Sequence, residues 1–396
     1  MKILMVNKFL YPNGGSETYI FKLGDYLRSI GHEVEYFGME HEGRCVGNRA
    51  EQYTTDMDFH TNSRLKKLSY PLKTIYSTEA KQKIGVVLRD FQPDIVHLNN
   101  FNYQLTPSIL YAVRAYEKES GRRVKLLYTA HDYQLICPNH MMRDNQGDPC
   151  GKCRDGAFLN CLKGSCIHQS KAKSAVGFAE ATLYKMLKAY RMLDCVICPS
   201  AFMKEQLDHH PQLRGKTAVL HNFIDRPATV PTEKKDYVLY FGRFDREKGI
   251  DTLIQAKELN FVFAGKGELE DEINRQTHIK NVGFQTGDAL AQLIREAACS
   301  VYPSTWYENC PFSVMESIMA GTPVVGADIG GIPELIDDGE TGFLFESGNT
   351  EALTAAVKRI TENPQTAQQM QQHCLTKHFD SLAEYTEKYL KLIEDC

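Results

Sequence analysis

Residues 237–250 read YVLYFGRFDREKGI, and this stretch contains the unit from which the whole fold is built. The apolar run Tyr237–Phe241 predicts a buried strand, and a helix is expected to begin near Ile250. Between them lies a charged turn bounded by Gly242 and Gly249. Strand, turn and helix alternate in this way along the entire chain. The alternation predicts an α/β fold of doubly wound parallel sheets.

The strand–helix alternation forms two series on either side of a polar segment. Residues 226–235 (RPATVPTEKK) contain two prolines and no apolar periodicity, so they are predicted to be a linker. The strands are predicted at Ile3–Val6, Val34–Phe37, Asp94–Leu98, Lys125–Thr129 and Asp194–Cys198 before the linker, and at Tyr237–Phe241, Phe261–Ala264, Asn281–Gly283, Ser300–Tyr302, Pro323–Gly326 and Gly342–Phe345 after it. We therefore expect two Rossmann-like domains, residues 1–225 and 236–377, because 396 residues exceed one ordinary core. A helix at about 378–396 is expected to cross back to the first domain.

The composition is that of a soluble globular protein. The chain is 42% apolar and 24% charged, with a formal net charge of −4, which argues against a general nucleic-acid binder. No apolar run reaches the roughly 18 residues that a membrane span needs. Met1–Asn7 resembles a buried strand more than a signal peptide, so we expect a cytoplasmic protein with reduced cysteines.

The segment Trp306–Glu316 (WYENCPFSVME) places two carboxylates, Glu308 and Glu316, beside a predicted helix start at Pro311. A helix N-terminus favours phosphate, while carboxylates accept hydrogen bonds from hydroxyls. This pattern predicts a site for a sugar joined to a diphosphate. A glycosidase acid/base pair is disfavoured, because eight residues of helix rise about 12 Å, whereas such pairs lie about 5–10 Å apart.

The charged turn after Phe241 also indicates phosphate binding. Gly242 allows close backbone approach, Arg243 offers a planar set of donors, and Lys248 precedes a helix. An ordinary solvated turn is the alternative. Two basic residues that bracket a strand-to-helix junction favour phosphate.

Three further candidates follow predicted strands of the first domain. Gly14 and Gly15 would let backbone amides approach an anion or a sugar. Glu17 would either complement the helix dipole or accept a hydrogen bond from a hydroxyl group of the acceptor substrate. His131 follows the strand Lys125–Thr129 and would either contact the donor sugar or serve as a structural histidine.

Together these motifs resemble the family 4 retaining glycosyltransferases, over nearly the whole chain. The resemblance depends on the Gly14–Gly15 loop, His131, Asn222, the turn from Gly242 to Gly249, and the Glu308 and Glu316 pair. It implies the GT-B fold, in which two Rossmann-like domains face a cleft: an N-terminal acceptor-binding domain and a C-terminal domain that binds the nucleotide-sugar. His221-Asn222-Phe223 departs from the more frequent Pro-Asn-Gly, which makes the role of Asn222 less certain.

The resemblance also implies roles for individual residues. Arg243 and Lys248 would neutralise the donor diphosphate, so no catalytic metal is expected. Glu308 would bind sugar hydroxyls beside His131, and Glu316 would bind the ribose. The remaining donor-binding residues would be Gly14, Gly15, Asn222, Gly242, Val282 and Phe284 near the base, and the amides of Phe312, Ser313 and Val314.

The expected reaction is transfer of a sugar, with retention, from a UDP- or GDP-sugar to a glycan or polyprenyl-linked acceptor. Relatives of this kind often build bacterial surface polysaccharides. A sugar-nucleotide isomerase or epimerase on the same fold is one alternative, and a non-catalytic nucleotide-binding partner subunit is another. The sequence does not identify the base, the sugar, the linkage, the acceptor or the oligomeric state.

A cysteine-rich insert occupies residues 137–168. Its spacing is C-x2-C-x7-C-x4-C, preceded by one more cysteine, and it predicts a structural zinc site. The candidate ligands are Cys137, Cys150, Cys153, Cys161 and Cys166. Unliganded thiols and disulfides are the alternatives.

Two basic stretches of the first domain are interleaved with apolar residues. The first contains Arg64, Leu65, Lys66, Lys67, Leu68, Tyr70, Leu72, Lys73, Lys81 and Lys83, and the second contains Lys163, Lys171, Lys173, Phe178, Leu183, Tyr184, Lys185, Leu187, Lys188 and Arg191. Such faces suit an anionic membrane surface. We therefore expect either peripheral binding to the inner face of the cell membrane or ordinary solvated helix faces.

Overall fold

The computed structural model describes residues 1–56, 72–227 and 233–396, which form two compact units. Unit 1 comprises Met1–Gln146, Cys150–His221 and Leu382–Cys396, and unit 2 comprises Gly147–Pro149 and Asn222–Ser381. Part of the first basic stretch (Arg64, Leu65, Lys66, Lys67, Leu68 and Tyr70) and part of the expected linker lie outside the described residues.

Unit 1 is built on a six-stranded parallel sheet. Its strands are β1 Lys2–Val6, β2 Glu33–Phe37, β3 Ile95–Leu98, β4 Lys125–Thr129, β5 Cys195–Cys198 and β6 Thr217–Val219. The strand order is β2-β1-β3-β4-β5-β6, and β1 pairs in parallel with both β2 and β3. The chain therefore changes direction across the sheet between β1 and β3, which is where ligands bind in doubly wound folds.

Six helices of unit 1 connect or flank these strands. They are α1 Gly15–Ser29, α2 Thr78–Phe91, α3 Ser108–Ser120, α4 Leu159–Gly164, α5 Lys171–Met186 and α6 Ala201–Asp208. The apolar and polar pattern of the sequence predicts a helix near Lys173–Met192, but α5 ends at Met186 and a 3₁₀ turn, Ala189–Met192, follows it. Lys188 between them has a φ of 54°, a left-handed conformation that interrupts a helix.

Unit 2 is also built on a six-stranded parallel sheet. Its strands are β7 Lys235–Arg243, β8 Phe261–Lys266, β9 Ile279–Asn281, β10 Ala297–Tyr302, β11 Val324–Ala327 and β12 Gly342–Phe345, in the order β12-β11-β10-β7-β8-β9. Its helices are α7 Ile250–Gln255, α8 Glu270–Asn274, α9 Gly287–Glu296, α10 Phe312–Met319, α11 Thr350–Thr361 and α12 Pro364–Thr376. Here the change of direction lies between β7 and β10.

Several strands of unit 2 differ from their predicted bounds; β7 and β8 extend further, β10 begins at Ala297 rather than Ser300, and β11 is shifted by one residue. Strand β9 begins two residues earlier than predicted, at Ile279 rather than Asn281, because Ile279 is the buried residue that pairs with Phe261. Unit 2 begins at Asn222 rather than after the linker. Residues 222–224 are held within unit 2, because the backbone N–H of Ile224 donates to the carbonyl oxygen of Asp380 at 2.8 Å.

The last helix, α13 Leu382–Asp395, belongs to unit 1, as the sequence predicts. Its two tyrosines are fully buried in that unit. The hydroxyl of Tyr385 lies 2.7 Å from that of Tyr19, and the hydroxyl of Tyr389 lies 3.0 Å from Nδ1 of His97. None of the helices in the described ranges combines the length and the apolarity that crossing a bilayer requires.

Candidate active site

The predicted donor residues of unit 2 lie at the carboxyl ends of neighbouring parallel strands. Lys248 lies on the turn after β7, and Glu308 on the loop after β10. These two strands pair with each other at the point where the strand order reverses. The topology therefore brings together two residues that are sixty positions apart in the chain.

The turn that carries Lys248 is fixed against the loop after β10. Residues Arg246–Lys248 form a 3₁₀ turn that ends at Gly249, whose φ is 76°. A Cβ at this position would lie 1.8 Å from the backbone oxygen of Pro303, so only glycine fits. The backbone N–H of Thr305 donates to the carbonyl oxygen of Glu247 at 2.9 Å. The two loops therefore form one rigid support.

Glu308 receives three hydrogen bonds on a single carboxylate oxygen. Oε1 lies 2.5 Å from Nζ of Lys248, 2.6 Å from Nε1 of Trp306 and 3.1 Å from Oγ of Ser304. The side chains of Lys248 and Glu308 are only 16% and 9% exposed. The lysine also lies 5.4 Å from the centre of the Trp306 ring. This geometry is a shielded ion pair with an aromatic wall.

Helix α10 begins directly after this ion pair. Pro311 was expected to begin this helix, but it is the N-cap residue and Phe312 is the first helical residue. No side chain caps the helix. The first turn is Phe312, Ser313 and Val314, of which Val314 is buried in the core of unit 2. Because the first amides of a helix lack intrahelical partners, this turn can donate to an anion.

The loop before α10 is held in place by hydrogen bonds to its backbone carbonyl oxygens. Nδ2 of Asn222 donates to the carbonyl oxygen of Cys310 at 2.8 Å, and the N–H of Gly331 donates to that of Glu308 at 2.7 Å. The side chain of Asn222 therefore positions this loop, and its expected direct contact with the donor stays a prediction. Glu316 lies on the second turn of α10 and is half-buried.

Arg243 differs from the expectation that both cations converge on the helix N-terminus. Its guanidinium is 64% exposed and forms ion pairs within its own turn, at 2.7 Å to Asp245 and 3.3 Å to Glu247. Gly242 before it has a φ of 148°. In this structure Lys248 contacts Glu308, whereas the partners of Arg243 are the carboxylates of its own turn.

The segment expected near the base follows β9. The N–H of Val282 donates to the carbonyl oxygen of Phe263, and the N–H of Gly265 donates to that of Gly283. Phe284 is 63% exposed, and Nζ of Lys266 lies 5.1 Å from the centre of its ring. The structure thus presents an exposed aromatic ring beside a cation at this end of the sheet.

In unit 1, the glycine loop leads directly into α1. Gly14 is the N-cap residue with an extended φ of −173°, and Gly15 is the first helical residue. Glu17 is buried and accepts a hydrogen bond from Nδ2 of Asn7 at 2.8 Å. Neither of the two roles that the sequence left open for Glu17 includes this contact, which ties α1 to the end of β1.

His131 lies at the carboxyl end of β4, as the sequence predicts. Its Nε2 lies 2.8 Å from Oδ1 of Asn99, and its ring packs edge-on against Tyr19 at 5.1 Å. Burial lowers the pKa of His131 to about 4, while the nearby Asp132 charge acts in the opposite direction. The imidazole is therefore neutral at pH 7.

The five cysteines of the insert all line one cavity of unit 1, with a volume of about 110 Å³. All twelve cysteines of the chain are free thiols, so the structure contains none of the disulfides that were the alternative to a zinc site. Among the described residues, no three cysteine sulfurs all lie within 4.8 Å of one another.

Two site residues were not predicted from the sequence. Trp306 and Ser304 both donate to Glu308, and neither belongs to the expected set. The signal was available for Trp306, since it is the only tryptophan of the chain and lies two residues before Glu308. Ser304 carries no comparable signal, because a serine after a strand is common in turns.

Comparison with known proteins agrees with this geometry. The sequence matches the Glycosyltransferase Family 4 profile over residues 13–226 and the Glycosyl transferases group 1 profile over residues 222–374. It is 24% identical over 313 residues to an uncharacterised glycosyltransferase of Methanocaldococcus jannaschii, covering 76% of this chain and 82% of the relative. It is 29% identical over 428 aligned positions to a glycogen synthase of Mycobacterium tuberculosis, covering 96% of this chain and 91% of the relative.

Solved structures share the fold across the full chain. A sucrose-phosphate synthase of Thermosynechococcus elongatus superposes with a TM-score of 0.69 at 17% identity, and HepE of Anabaena, in complex with UDP, with a TM-score of 0.69 at 18% identity; each match covers 100% of both chains. The expected GT-B fold class is confirmed. Because one family profile spans more than half of the sequence and the second covers most of the remainder, the chain belongs to glycosyltransferase family 4.

Proposed function

We propose that this glycosyltransferase moves a hexose, with retention of configuration, from a UDP- or GDP-sugar to a glycan or lipid-linked acceptor. The observation that carries the proposal is the shielded contact between Lys248 and Glu308 beside the N-terminus of α10. A cation, a helix N-terminus and a carboxylate are the groups that a diphosphate joined to a sugar would engage. HepE was solved in complex with UDP-glucose, which supports a donor of this class.

The chemistry follows from where charge develops. Breaking the bond between the anomeric carbon and its oxygen places negative charge on the leaving diphosphate, which Lys248 and the first amides of α10 would stabilise. Sugar hydroxyls would then donate to Glu308 in place of the lysine. Arg243 is exposed on the same turn and would provide a second cation for the phosphates. These fixed charges would serve in place of a catalytic metal.

Binding can be tested with the intrinsic fluorescence of Trp306, the only tryptophan of the chain. Because its Nε1 donates to Glu308, a donor that displaces Lys248 from this carboxylate will change the emission. We expect titration with UDP, GDP, UDP-glucose and GDP-mannose to give a saturable change for one base, lost in Lys248→Met. Arg246→Met is the matched control, since it removes a 55% exposed cation from the same turn. No saturable change with any of the four ligands would contradict the proposal.

Turnover distinguishes the transferase from its two alternatives. A transferase consumes the donor faster when an acceptor is present, an isomerase converts it equally without acceptor, and a non-catalytic subunit binds it without conversion. Retention is checked by the anomeric configuration of the first product in an NMR time course. Undiminished turnover in EDTA, with no gain from added Mg²⁺ or Mn²⁺, is expected for a metal-independent reaction.

We also propose that the enzyme acts in the cytoplasm, at the inner face of the cell membrane, in surface polysaccharide synthesis. Within the described residues, Leu72 and Met186 are each 74% exposed, and Leu187 is 48% exposed. Lys73 and Lys188 adjoin them in the sequence. Such a mixture suits anionic lipid. Flotation with anionic vesicles at low salt is expected, and a Leu72→Ser, Met186→Ser variant should stay in the soluble fraction. Wild-type protein that also stays there would refute membrane binding.

A further inference from the structure

We propose that Cys150, Cys153, Cys161 and Cys166 bind one structural zinc ion, and that Cys137 lies beside this site without being a ligand. All five cysteines line the same cavity of about 110 Å³ in unit 1. Four thiolates are a complete tetrahedral ligand set for zinc, with no open position for catalysis. The ion would therefore stabilise the insert rather than take part in sugar transfer.

The four proposed ligands are close neighbours. The backbone N–H of Cys161 donates to the Cys153 sulfur, and that of Cys166 donates to the Cys161 sulfur. Amide donors of this kind stabilise thiolates and orient them.

Cys137 is set apart by a contact of its own. Its Sγ donates to Oδ1 of Asn139 at 2.9 Å, and the residue is buried. The backbone N–H groups of Asn139 and Met142 also donate to this sulfur, as amides do at Cys153 and Cys161, so the exclusion of Cys137 depends on its bond to the Asn139 side chain and on its spacing. Its position thirteen residues before Cys150 also places it outside the compact C-x2-C-x7-C-x4-C spacing.

Zinc binding requires the sulfurs of the cluster to move closer together. Zinc–sulfur bonds of about 2.3 Å in a tetrahedron place the sulfurs about 3.8 Å apart. In the structure no three cysteine sulfurs of the described residues all lie within 4.8 Å of one another, so the side chains must turn inward. Lys152 and Arg143 line the same cavity and would offset the double negative charge of a zinc ion with four thiolates.

The insert has little other reason to be ordered. Its buried hydrophobic cluster consists of Cys153, Phe158, Cys161 and Ala181, with Cys166, Ile167 and Phe178 packed against it, and its one helix, α4, has six residues. Of the ten non-glycine residues with positive φ in the described chain, four lie here: His140, Met142, Ser165 and His168. A segment with few apolar contacts and several strained residues gains order from a metal.

The insert is joined directly to the turn after His131. The backbone N–H of Tyr133 donates to the carbonyl oxygen of His140 at 3.0 Å. The His140 ring lies 3.6 Å from a carboxylate oxygen of Asp132 and stacks on Tyr103 at 4.6 Å. Loss of the metal would therefore loosen the backbone beside His131.

Elemental analysis of full-length protein purified without added metal or chelator tests the proposal. We expect about one zinc per chain in wild-type protein, in Cys137→Ser and in the control Cys45→Ser, whose exposed thiol lies outside the insert. We expect less than about a tenth of that content in Cys153→Ser and Cys161→Ser. Replacement of zinc by Co²⁺ should add the intense ultraviolet thiolate band and the visible bands of a tetrahedral site.

Three outcomes would overturn the proposal. One is zinc-free wild-type protein that gives no Co²⁺–thiolate band when titrated. Another is an equivalent amount of iron in place of zinc. The third is zinc that is lost in Cys137→Ser and kept in Cys150→Ser, which would reject the proposed ligand set. Circular dichroism and nucleotide-induced Trp306 fluorescence show whether each variant is folded, since that tryptophan reports on unit 2.

Discussion

The ion pair between Lys248 and Glu308 should contribute both to stability and to catalysis. In Lys248→Met, the Glu308 carboxylate keeps the neutral donors Trp306 and Ser304, and Tyr302 is a further hydrogen-bond partner. Breaking a fully buried pair costs about 3–5 kcal/mol. Because the two side chains retain 16% and 9% exposure, and two neutral donors remain, we expect the free energy of unfolding to fall by about 2–3 kcal/mol.

A double variant at Lys248 and Glu308 separates the effect of the ion pair from the effects of the two individual side chains. Glu308→Gln keeps the side-chain shape and removes the charge, so Lys248→Met with Glu308→Gln leaves no unpaired charge at the site. Its free energy of unfolding should lie within about 1 kcal/mol of wild type, so the double variant should be more stable than Lys248→Met alone. Activity should not recover. Without the ammonium beside the leaving diphosphate, kcat/KM should fall by about 10²–10³-fold in both variants.

Urea unfolding followed by Trp306 fluorescence measures the stability, because this single tryptophan lies at the pair. Initial rates of donor turnover measure the activity. Arg246→Met is the control, since its pairs with Asp251 and Glu272 are exposed and worth less than about 1 kcal/mol. Additive stability effects, or a Lys248→Met variant as stable as the control, would refute the claim that the pair is shielded. Recovered activity in the double variant would refute the role of the cation.

Three further variants test other parts of the fold. Gly249→Ala should destabilise unit 2 by about 2 kcal/mol more than Gly339→Ala in urea unfolding, because both have positive φ but only the first meets a backbone oxygen. Tyr389→Phe should cost about 1–3 kcal/mol of unfolding free energy, since buried His97 loses its Nδ1 partner; an unchanged midpoint would contradict this. Burial raises the pKa of Glu180 to about 8 from 4.5, so its stabilising contribution is complete below pH 4.5 and lost as the pH rises to about 8. Glu180→Gln should therefore gain in melting temperature over wild type across that range, and parallel pH profiles would contradict it.

Much of the architecture was predictable because strand and helix periodicities are local properties of the sequence. The strands Lys125–Thr129 and Gly342–Phe345 coincide with β4 and β12. Strand β6 was not predicted, since Thr217–Val219 is three residues long and lies at the sheet edge, where burial imposes little apolar pattern. The division of the predicted helix at Met186 depends on the left-handed Lys188, and lysine carries no sequence signal for that conformation.

The site was predictable residue by residue but not in its contacts. Lys248 and Glu308 were both expected to bind a donor, yet their direct contact was not. Arg243 was expected to point at the phosphates, but Asp245 and Glu247 are nearer in the chain and pair with it. The long, flexible side chain of arginine takes whichever partner the local turn supplies. Which partner a surface cation selects is decided by three-dimensional positions that the pattern of residues does not contain.

Sheet topology supplies the missing step between the two motifs. In a parallel sheet all strands point the same way, so turns that follow adjacent strands meet at one edge. Once β7 is known to pair with β10, the turn that carries Lys248 must lie beside the loop that carries Glu308. Gly249 and Pro303 then bring the two segments into van der Waals contact, which leaves the lysine little freedom to point elsewhere. The ion pair is thus a consequence of strand order and one obligatory glycine, and this is why its loss should be felt in both folding and catalysis.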